Sequence, residues 1–235
     1  MHTLSFSEDD APFRILCVGA HSDDIEIGCG GSILDLLDRH RNVEIDWIVF
    51  SGIGKREREA RASAKSFLSG ARRSRVTVEQ FRDGFFPYQG AAIKKIFEAI
   101  KSRPSPDLVF THYRDDRHQD HRVLSDLTWN TFRDHWILEY EIPKYDGDLG
   151  APNCFVPITR RSCTRKIRYL QAAFGTQRDK DWFTHDTFAG LMRLRGMECR
   201  APDGYAEAFY GRKVVLQLPT RRSGRPMSPR TKPKG

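Results

Sequence analysis

The feature that most constrains the fold is a short apolar run that leads directly into a glycine, a histidine and two aspartates. The run spans residues 15–18, and residues 19–24 read GAHSDD. More glycines follow, and an amphipathic helical pattern opens at Gly30. An apolar run, a glycine-rich loop and a helix in this order predict a strand–loop–helix unit. In an open α/β sheet, such loops lie at the carboxyl ends of the strands and form the ligand-binding crevice.

The alternation of apolar and amphipathic segments continues along the chain and predicts the fold class. Strands are expected at residues 14–18, 43–50, 76–81, 107–111, 136–142, 154–158, 205–210 and 213–218. Helices are expected from residue 30, after residue 121, and at residues 55–68, 91–101, 165–174 and 183–194. Strands that alternate with helices favour a parallel sheet covered on both sides. The sequence therefore predicts an α/β fold, a Rossmann-like and mostly parallel sheet with helices on both faces.

The first loop carries the residue types of a metal site. Neutral imidazole and carboxylate groups are good ligands for zinc and for ferrous iron. His21 and Asp24 are three positions apart in a tight turn, so both can face one ion. Asp23 lies between them, points elsewhere, and is suited to accept a proton from a water molecule. A catalytic zinc site usually has three protein ligands, so we expect a third ligand from the end of another strand.

A second polar loop, after the predicted strand at 107–111, is the candidate source of that ligand. Residues 112–121 read HYRDDRHQDH and contain three histidines and three aspartates. A single aspartate on a loop is more often a helix cap or part of a surface ion pair. Two such loops after two predicted strands weaken this purely structural interpretation. His112 and Asp115 are expected to support the site from outside the ligand set or to be solvated.

Three separated motifs resemble those of the LmbE/PIG-L N-deacetylases. The sequence HSDD at 21–24 is similar to the His-Pro-Asp-Asp motif of that family. The segment 111–121 resembles the family's second motif. Arg-Gly at 195–196, followed by YAEAF at 205–209, resembles its C-terminal motif. Agreement of three motifs in the right order makes the resemblance specific.

The resemblance implies a ligand set and a cofactor. His21, Asp24 and His121 match the metal ligands of the family, so zinc is the expected cofactor, with ferrous iron as the alternative. Ser22 stands where the family usually has proline, a change that loosens the turn but removes no ligand. The sequence FGTQ at 174–177 stands where many members have His-x-Ser-Gln, which alters the expected pocket.

The resemblance also implies roles for four further side chains. Asp23 would be the general base, and His118 would stabilise the oxyanion or act as an acid. Asp120 would orient a histidine by hydrogen bonding. Arg56, at the start of a predicted charged helix, matches a family arginine that meets the substrate. The plainer alternative is that Arg56 pairs with Glu59 on its own helix.

The function implied by the resemblance is metal-dependent removal of the N-acetyl group from an N-acetylglucosamine-type sugar or glycoconjugate. Three alternatives stay open. They are a metal-dependent hydrolase of another amide or phosphoester, a nucleic-acid-binding protein that acts through a basic tail, and a metal-free sugar-binding relative. The presence of every implied catalytic residue argues against the last. The expected partner is a small-molecule or glycoconjugate substrate, with no specific nucleic acid, and a homo-oligomer is left open.

Composition predicts the domain organisation and the compartment. The 235 residues suit a loose lead-in over 1–12 and one domain over 13–220. Residues 221–235 hold six basic and no acidic residues, which leaves 33 basic and 31 acidic residues in the remainder. This tail is expected to be disordered. Scattered cysteines, no signal-like segment and no membrane-length apolar run predict a cytoplasmic protein.

Overall fold

Strand β1 (Phe13–His21) occupies an inner position of the sheet because its side chains are apolar on both faces. In the computed structural model, which describes residues 11–215, Ile15 and Cys17 point into one core and Leu16 and Val18 into another. Alternate residues of a strand face opposite sides of its sheet, so β1 contributes to both cores. Burial on both faces is typical of parallel strands in α/β proteins.

Six further strands complete the sheet: β2 (Val43–Ser51), β3 (Arg73–Val78), β4 (Leu108–His112), β5 (Trp136–Tyr140), β6 (Cys154–Ile158) and β7 (Tyr205–Gly211). The strand order is β3-β2-β1-β4-β5-β7-β6. Strands β1 to β5 run parallel, whereas β7 is antiparallel to β5 and β6. The predicted mostly parallel α/β sheet is confirmed. The strand order changes direction between β1 and β4, and such a switch point opens a crevice at the carboxyl ends of the strands.

Helices cover both faces of the sheet, as predicted. They are α1 (Asp24–Arg39), α2 (Lys55–Phe67), α3 (Gly90–Lys101), α4 (Gln119–Thr131), α5 (Arg160–Ala173) and α6 (His185–Glu198), with 3₁₀ helices at Phe86–Tyr88 and Gly175–Gln177. The core on one face takes side chains from α1, α2, α5 and α6, and the core on the other takes them from α3 and α4. In α3, the buried side chains Ile93, Phe97 and Ile100 recur at helical spacing, which gives this helix a single apolar face.

Helix α1 begins earlier than the sequence predicts. The expected loop before Gly30 is wrong, because the helix starts at Asp24, directly after β1. The glycines serve packing instead of a chain reversal. A Cβ atom on Gly28 would collide with the ring of Tyr140, and one on Gly30 would lie 2.6 Å from Phe67. Small residues here let the helix approach the sheet and α2 closely.

Two strand predictions also need correction. Strand β3 spans Arg73–Val78 instead of 76–81. Its first three residues are polar and exposed, so the apolar pattern misses its start. The predicted strand at 213–218 is wrong for residues 213–215, which are irregular, because β7 already ends at Gly211. Residues 216–218 lie outside the described part of the chain.

The predictions for the two chain ends remain untested. The tail over 221–235 and all but the last two residues of the lead-in lie outside residues 11–215. Residues 13–211 contribute to one seven-stranded sheet and its helices. Within the described segment, none of the helices has the length and apolarity needed to cross a membrane. The cytoplasmic location stays a prediction.

Candidate active site

Two loops at the carboxyl ends of adjacent strands bring the candidate residues together. Strand β1 ends at His21, and β4 ends at His112, just before the polar loop that leads into α4. These strands pair in parallel, so both loops leave the same edge of the sheet. His21 and His121 are 100 positions apart in the chain, yet their ring nitrogens lie 3.2 Å apart.

His21, Asp24 and His121 form a compact triangle of potential ligand atoms. His21 Nδ1 lies 3.2 Å from Asp24 Oδ2 and 3.2 Å from His121 Nε2, and the third side of the triangle measures 3.5 Å. Ligands at about 2.0–2.2 Å from a tetrahedral zinc ion are about 3.3–3.6 Å from one another. Two imidazoles and one carboxylate at this spacing fit a single zinc ion. Other sets of side chains that share residues with the triangle also have the spacing of a metal site. Among them are Asp24, His112 and His121, and also His21, His118 and His121.

The electrostatics of the triangle favour a bound cation. Burial opposes ionisation of Asp24, but the surrounding imidazoles, led by His121, hold its pKa well below the ordinary value. Burial also opposes protonation of His21, yet the carboxylates of Asp24 and Asp120 outweigh it and raise the pKa of His21 well above its usual value. Asp24 is thus a buried carboxylate that depends on positive charge beside it, which a metal ion would supply.

Both histidines of the triangle have a carboxylate at the nitrogen that faces away from it. His121 Nδ1 lies 2.9 Å from Asp116 Oδ2. His21 Nε2 lies 3.0 Å from Asp83 Oδ1 and 3.5 Å from Asp120 Oδ2. Carboxylates in this position fix the tautomer and the orientation of metal-binding imidazoles. The orienting role predicted for Asp120 is compatible with its place beside His21, although Asp83 lies closer.

Asp120 also fixes the loop that follows β3. Its two carboxylate oxygens accept hydrogen bonds from the backbone N–H groups of Gly84, at 2.6 Å, and Phe86, at 3.0 Å. Gly84 has a φ of 76°, a conformation that favours glycine. Asp83 immediately precedes this clamped segment, so Asp120 influences His21 both directly and through the placement of Asp83.

Asp23 has one engaged and one free carboxylate oxygen. Oδ1 accepts a hydrogen bond of 2.6 Å from Arg56 Nη2. Oδ2 is buried and has no hydrogen-bond partner within residues 11–215. Burial raises the pKa of Asp23 above its usual value, and the charge of Arg56 offsets part of this effect. A carboxylate with a raised pKa and a free oxygen suits a general base.

Arg56 is held in place by α2 and by the segment after α5. Its Nη1 donates a 3.2 Å hydrogen bond to Thr176 Oγ1, and Glu59 Oε2 lies 3.7 Å away. Thr176 donates from its own Oγ1 to Glu59 Oε2 at 2.5 Å and from its backbone to Oε1 at 3.0 Å. The FGTQ departure from the family pattern therefore lies in direct contact with Arg56. The sequence also allows a simple ion pair between Arg56 and Glu59. At 3.7 Å this contact is longer than the hydrogen bonds from Arg56 to Asp23 and Thr176.

His118 lies at the N-terminus of α4, beside the triangle. Its ring centre is 4.7 Å from that of His21 and 4.6 Å from that of His121. Its Nδ1 accepts a 3.3 Å hydrogen bond from the backbone N–H of Asp120. Burial, together with the charge of His21, lowers the pKa of His118. A neutral imidazole that accepts at Nδ1 carries its proton on Nε2, so His118 can donate a hydrogen bond from that atom.

His112 is close to the triangle but is engaged elsewhere. Its Nε2 lies 3.3 Å from Asp24 Oδ2, and the same atom accepts a 2.9 Å hydrogen bond from the backbone N–H of Ala20. That contact uses the lone pair that a metal ion would need. The expectation that His112 acts from outside the ligand set agrees with these contacts. Asp115 is exposed, as expected for a solvated residue.

The sequence patterns do not single out Asp83, Asp116 or Lys144 as site residues. Asp83 follows a strand, and its proximity to His21 is visible only in the folded chain. Asp116 lies inside the polar loop, but several aspartates there are equivalent by pattern. Lys144 contacts Asp116 from the connection between β5 and β6 at a distance of 3.0 Å, and no local sequence signal marks it.

Comparisons with known proteins agree with this fold and with the resemblance to a family. The family profile described as "PIG-L: GlcNAc-PI de-N-acetylase" matches residues 16–132. That segment contains the first two motifs. It also contains all seven residues implied by the resemblance: His21, Asp23, Asp24, Arg56, His118, Asp120 and His121.

Similar solved structures include a protein described only as conserved, a deacetylase and a hydratase. The conserved protein TT1542 from Thermus thermophilus is 21% identical, with a TM-score of 0.66 over 89% of this chain and 99% of that one. The N,N'-diacetylchitobiose deacetylase from Pyrococcus horikoshii is 20% identical, with a TM-score of 0.63 over 86% of this chain and 84% of that one. GalB, the 4-carboxy-2-hydroxymuconate hydratase from Pseudomonas putida KT2440, is 17% identical, with a TM-score of 0.61 over 88% and 99%.

At these sequence identities the structural likeness establishes the fold but not the reaction, which has to be argued from the site residues. The profile match and the motif residues establish the family. This chain belongs to the PIG-L (LmbE-like) family.

Proposed function

We propose that this protein is a zinc-dependent N-deacetylase that hydrolyses the N-acetyl group of an N-acetylglucosamine-type sugar or glycoconjugate. The observation that carries the proposal is the triangle of His21, Asp24 and His121. The neighbouring residue in the chain, Asp23, has a buried carboxylate oxygen without a hydrogen-bond partner in the described structure. Membership of a family described by a de-N-acetylase and likeness to a diacetylchitobiose deacetylase support the choice of reaction.

The donor set suits zinc, and the chemistry divides between the ion and the side chains. When bound by His21, Asp24 and His121, zinc would polarise the acetyl carbonyl and lower the pKa of a water molecule from 15.7 to about 7. Asp23 Oδ2 takes the proton from the attacking water, because its other oxygen is bonded to Arg56. The water oxygen bonds to the acetyl carbon, the C–N bond breaks, and the proton passes to the leaving nitrogen, so amine and acetate are the products.

His118, beside the triangle, and Arg56, bound to Asp23, assist the reaction. His118 Nε2–H donates to the oxygen that becomes negative when water adds to the carbonyl. Arg56 keeps Asp23 oriented and presents its guanidinium edge to sugar hydroxyls. The exposed aromatic rings of Phe85, inside the Asp120-bound loop, and of Tyr88, just after it, offer an apolar surface for a sugar ring.

An assay for acetate release tests the proposal directly. Zinc-loaded protein is incubated with N-acetylglucosamine, N,N'-diacetylchitobiose and aryl N-acetylglucosaminides. The amounts of acetate and of free amine that are released are then measured and compared. Phosphate monoesters and an unsaturated carboxylic acid are included as substrates of the two competing reaction classes. Equimolar acetate and amine support the proposal. Phosphate release or hydration of the unsaturated acid, without acetate from any amide, would replace it with a phosphoesterase or a hydratase.

A further inference from the structure

The buried carboxylate of Asp116 connects two histidines of the candidate site. Asp116 is 3% exposed. Its Oδ1 accepts a 2.7 Å hydrogen bond from the backbone N–H of His118, and its Oδ2 lies 2.9 Å from His121 Nδ1. Its backbone carbonyl accepts a 2.8 Å hydrogen bond from Arg122. One side chain thus fixes both the backbone of His118 and the ring of His121.

The direction of the bond to His121 follows from the chemistry of the carboxylate. An ionised carboxylate only accepts hydrogen bonds, so His121 must carry its proton on Nδ1. In the neutral ring Nε2 is then unprotonated, and this is the atom that lies 3.5 Å from Asp24 and 3.2 Å from His21. The bond to Asp116 therefore selects the tautomer that a metal ion requires.

Lys144 reaches the same carboxylate from a different part of the chain. It lies in the connection between β5 and β6, is largely buried, and places Nζ 3.0 Å from Asp116 Oδ2. Lys144 also contacts Asp148, which accepts a 2.7 Å hydrogen bond from the backbone N–H of Arg117. The connection is thereby attached to the polar loop at two adjacent residues, Asp116 and Arg117.

We propose that Asp116 is a positioning residue that holds His121 in its Nδ1–H tautomer, and that Lys144 keeps the Asp116 carboxylate turned toward His121. Without the ammonium group of Lys144, the buried carboxylate of Asp116 would lose its ion-pair partner. Its Oδ2 would also lose one of the two contacts that hold it in place. The connection between β5 and β6 would then set the geometry of the candidate metal ligand. The inference rests on the ligand set of the proposed function.

The tautomer of His121 can be measured without metal or substrate. Long-range ¹H–¹⁵N correlation spectra of the metal-free protein at pH 8 distinguish the two neutral forms of each imidazole. We expect the Nδ1–H form for His121 in the natural protein and a mixed or Nε2–H form in Asp116→Asn. Zinc affinity, measured by chelator competition, should fall about 10- to 100-fold in that variant, as for other partners of metal-binding histidines.

Lys144 needs its own variants and a matched control. Lys144→Met should shift the tautomer toward Nε2–H, and Lys144→Arg should restore the natural spectrum. Lys94→Met, which removes an exposed pair with Glu98, should leave it unchanged. For the Lys144 variants the tautomer of His121 is the deciding measurement, and zinc affinity is not. Removing the positive charge of Lys144 also weakens its repulsion of zinc, which changes the affinity whatever the tautomer.

Three results would overturn the inference. They are an Nε2–H tautomer in the natural protein, an Asp116→Asn spectrum and zinc affinity equal to the natural ones, or a Lys144→Met spectrum identical to that of the Lys94→Met control. Lys144→Met keeps the test decisive if Asp116→Asn fails to fold. None of these readouts depends on deacetylation, so a failed acetate assay would count against the proposed function and leave this result standing.

Discussion

Arg56 Nη2 lies 2.6 Å from Asp23 Oδ1, while Asp23 Oδ2 is buried without a hydrogen-bond partner in the described chain. The guanidinium therefore holds one oxygen of the candidate base and leaves the other available for a proton. Because Nη1 is bonded to Thr176, Arg56 has its orientation fixed before any substrate arrives. Its effect on the reaction should therefore appear in kcat as well as in substrate binding.

Replacing the base should separate chemistry from metal binding. Asp23→Asn should keep zinc, because Asp23 contributes no atom to the triangle of His21, Asp24 and His121. The variant should lose most of its turnover, because an amide does not accept the proton from water. Zinc content by elemental analysis and acetate release on the same sample check this. Loss of zinc from Asp23→Asn would mean that the roles of Asp23 and Asp24 are exchanged.

Arg56→Ala should lower kcat on every N-acetyl substrate, because Asp23 loses the group that orients it. It should in addition raise KM on a glycosidic substrate, which has hydroxyls for the guanidinium to bind, but not on a minimal N-acetyl compound. Steady-state kinetics on both substrates measure the two effects. Arg58→Ala, an exposed change on the same helix, serves as the control, and equal kinetics for the two variants would remove Arg56 from the site.

His118→Ala should reduce kcat about 10²- to 10³-fold, the range seen when an oxyanion donor is removed. Zinc content should stay unchanged, because its Nε2 is not needed by the triangle. The exposed His185, which pairs only with its neighbour Asp186 in the described structure, provides a matched His185→Ala control. A His118→Ala protein that is fully active, or that has lost its zinc, would contradict the assigned role.

The family resemblance implies His21, Asp24 and His121 as the ligands, and their convergence follows from the topology because β1 and β4 are neighbours. Two parallel strands that neighbour each other must present their carboxyl-end loops at one edge, whatever the details of packing. The partners of the remote imidazole nitrogens could not be predicted in this way. Asp83 and Lys144 come from loops whose paths depend on tertiary contacts, such as the clamp by Asp120.

The start of α1 shows a second limit of sequence patterns. Glycines usually interrupt helices because of their conformational freedom, so the pattern around Gly28 favours a loop that lasts until Gly30. In the fold, these positions face Tyr140 and Phe67 at distances that exclude any side chain. Packing against partners distant in sequence outweighs local propensity here.

A buried ion pair should stabilise the helix that carries Asp24. Lys166 Nζ donates to Glu207 Oε1 at 2.6 Å and to the Ile27 carbonyl at 2.5 Å, and Glu207 accepts the backbone N–H groups of Gly31 and Ser32. Lys166→Met leaves a buried carboxylate without its cation. The free energy of unfolding in urea should therefore fall by about 3–5 kcal/mol.

An exposed pair provides the control for this stability measurement. Arg61 and Glu57 form an ion pair on the surface of α2, so Arg61→Met should cost about 0–1 kcal/mol. Equal losses in Lys166→Met and Arg61→Met would show that the buried pair contributes no more than a surface one.

The most direct test of the assigned metal site is the position of zinc in a crystal of the metal-loaded protein, located by anomalous scattering at the zinc absorption edge. We predict one strong peak inside the triangle, about 2.0–2.2 Å from His21 Nδ1, Asp24 Oδ2 and His121 Nε2. A peak beside Asp83 and Asp120 with none in the triangle, or ligation through His112 in place of His121, would contradict the assigned metal site.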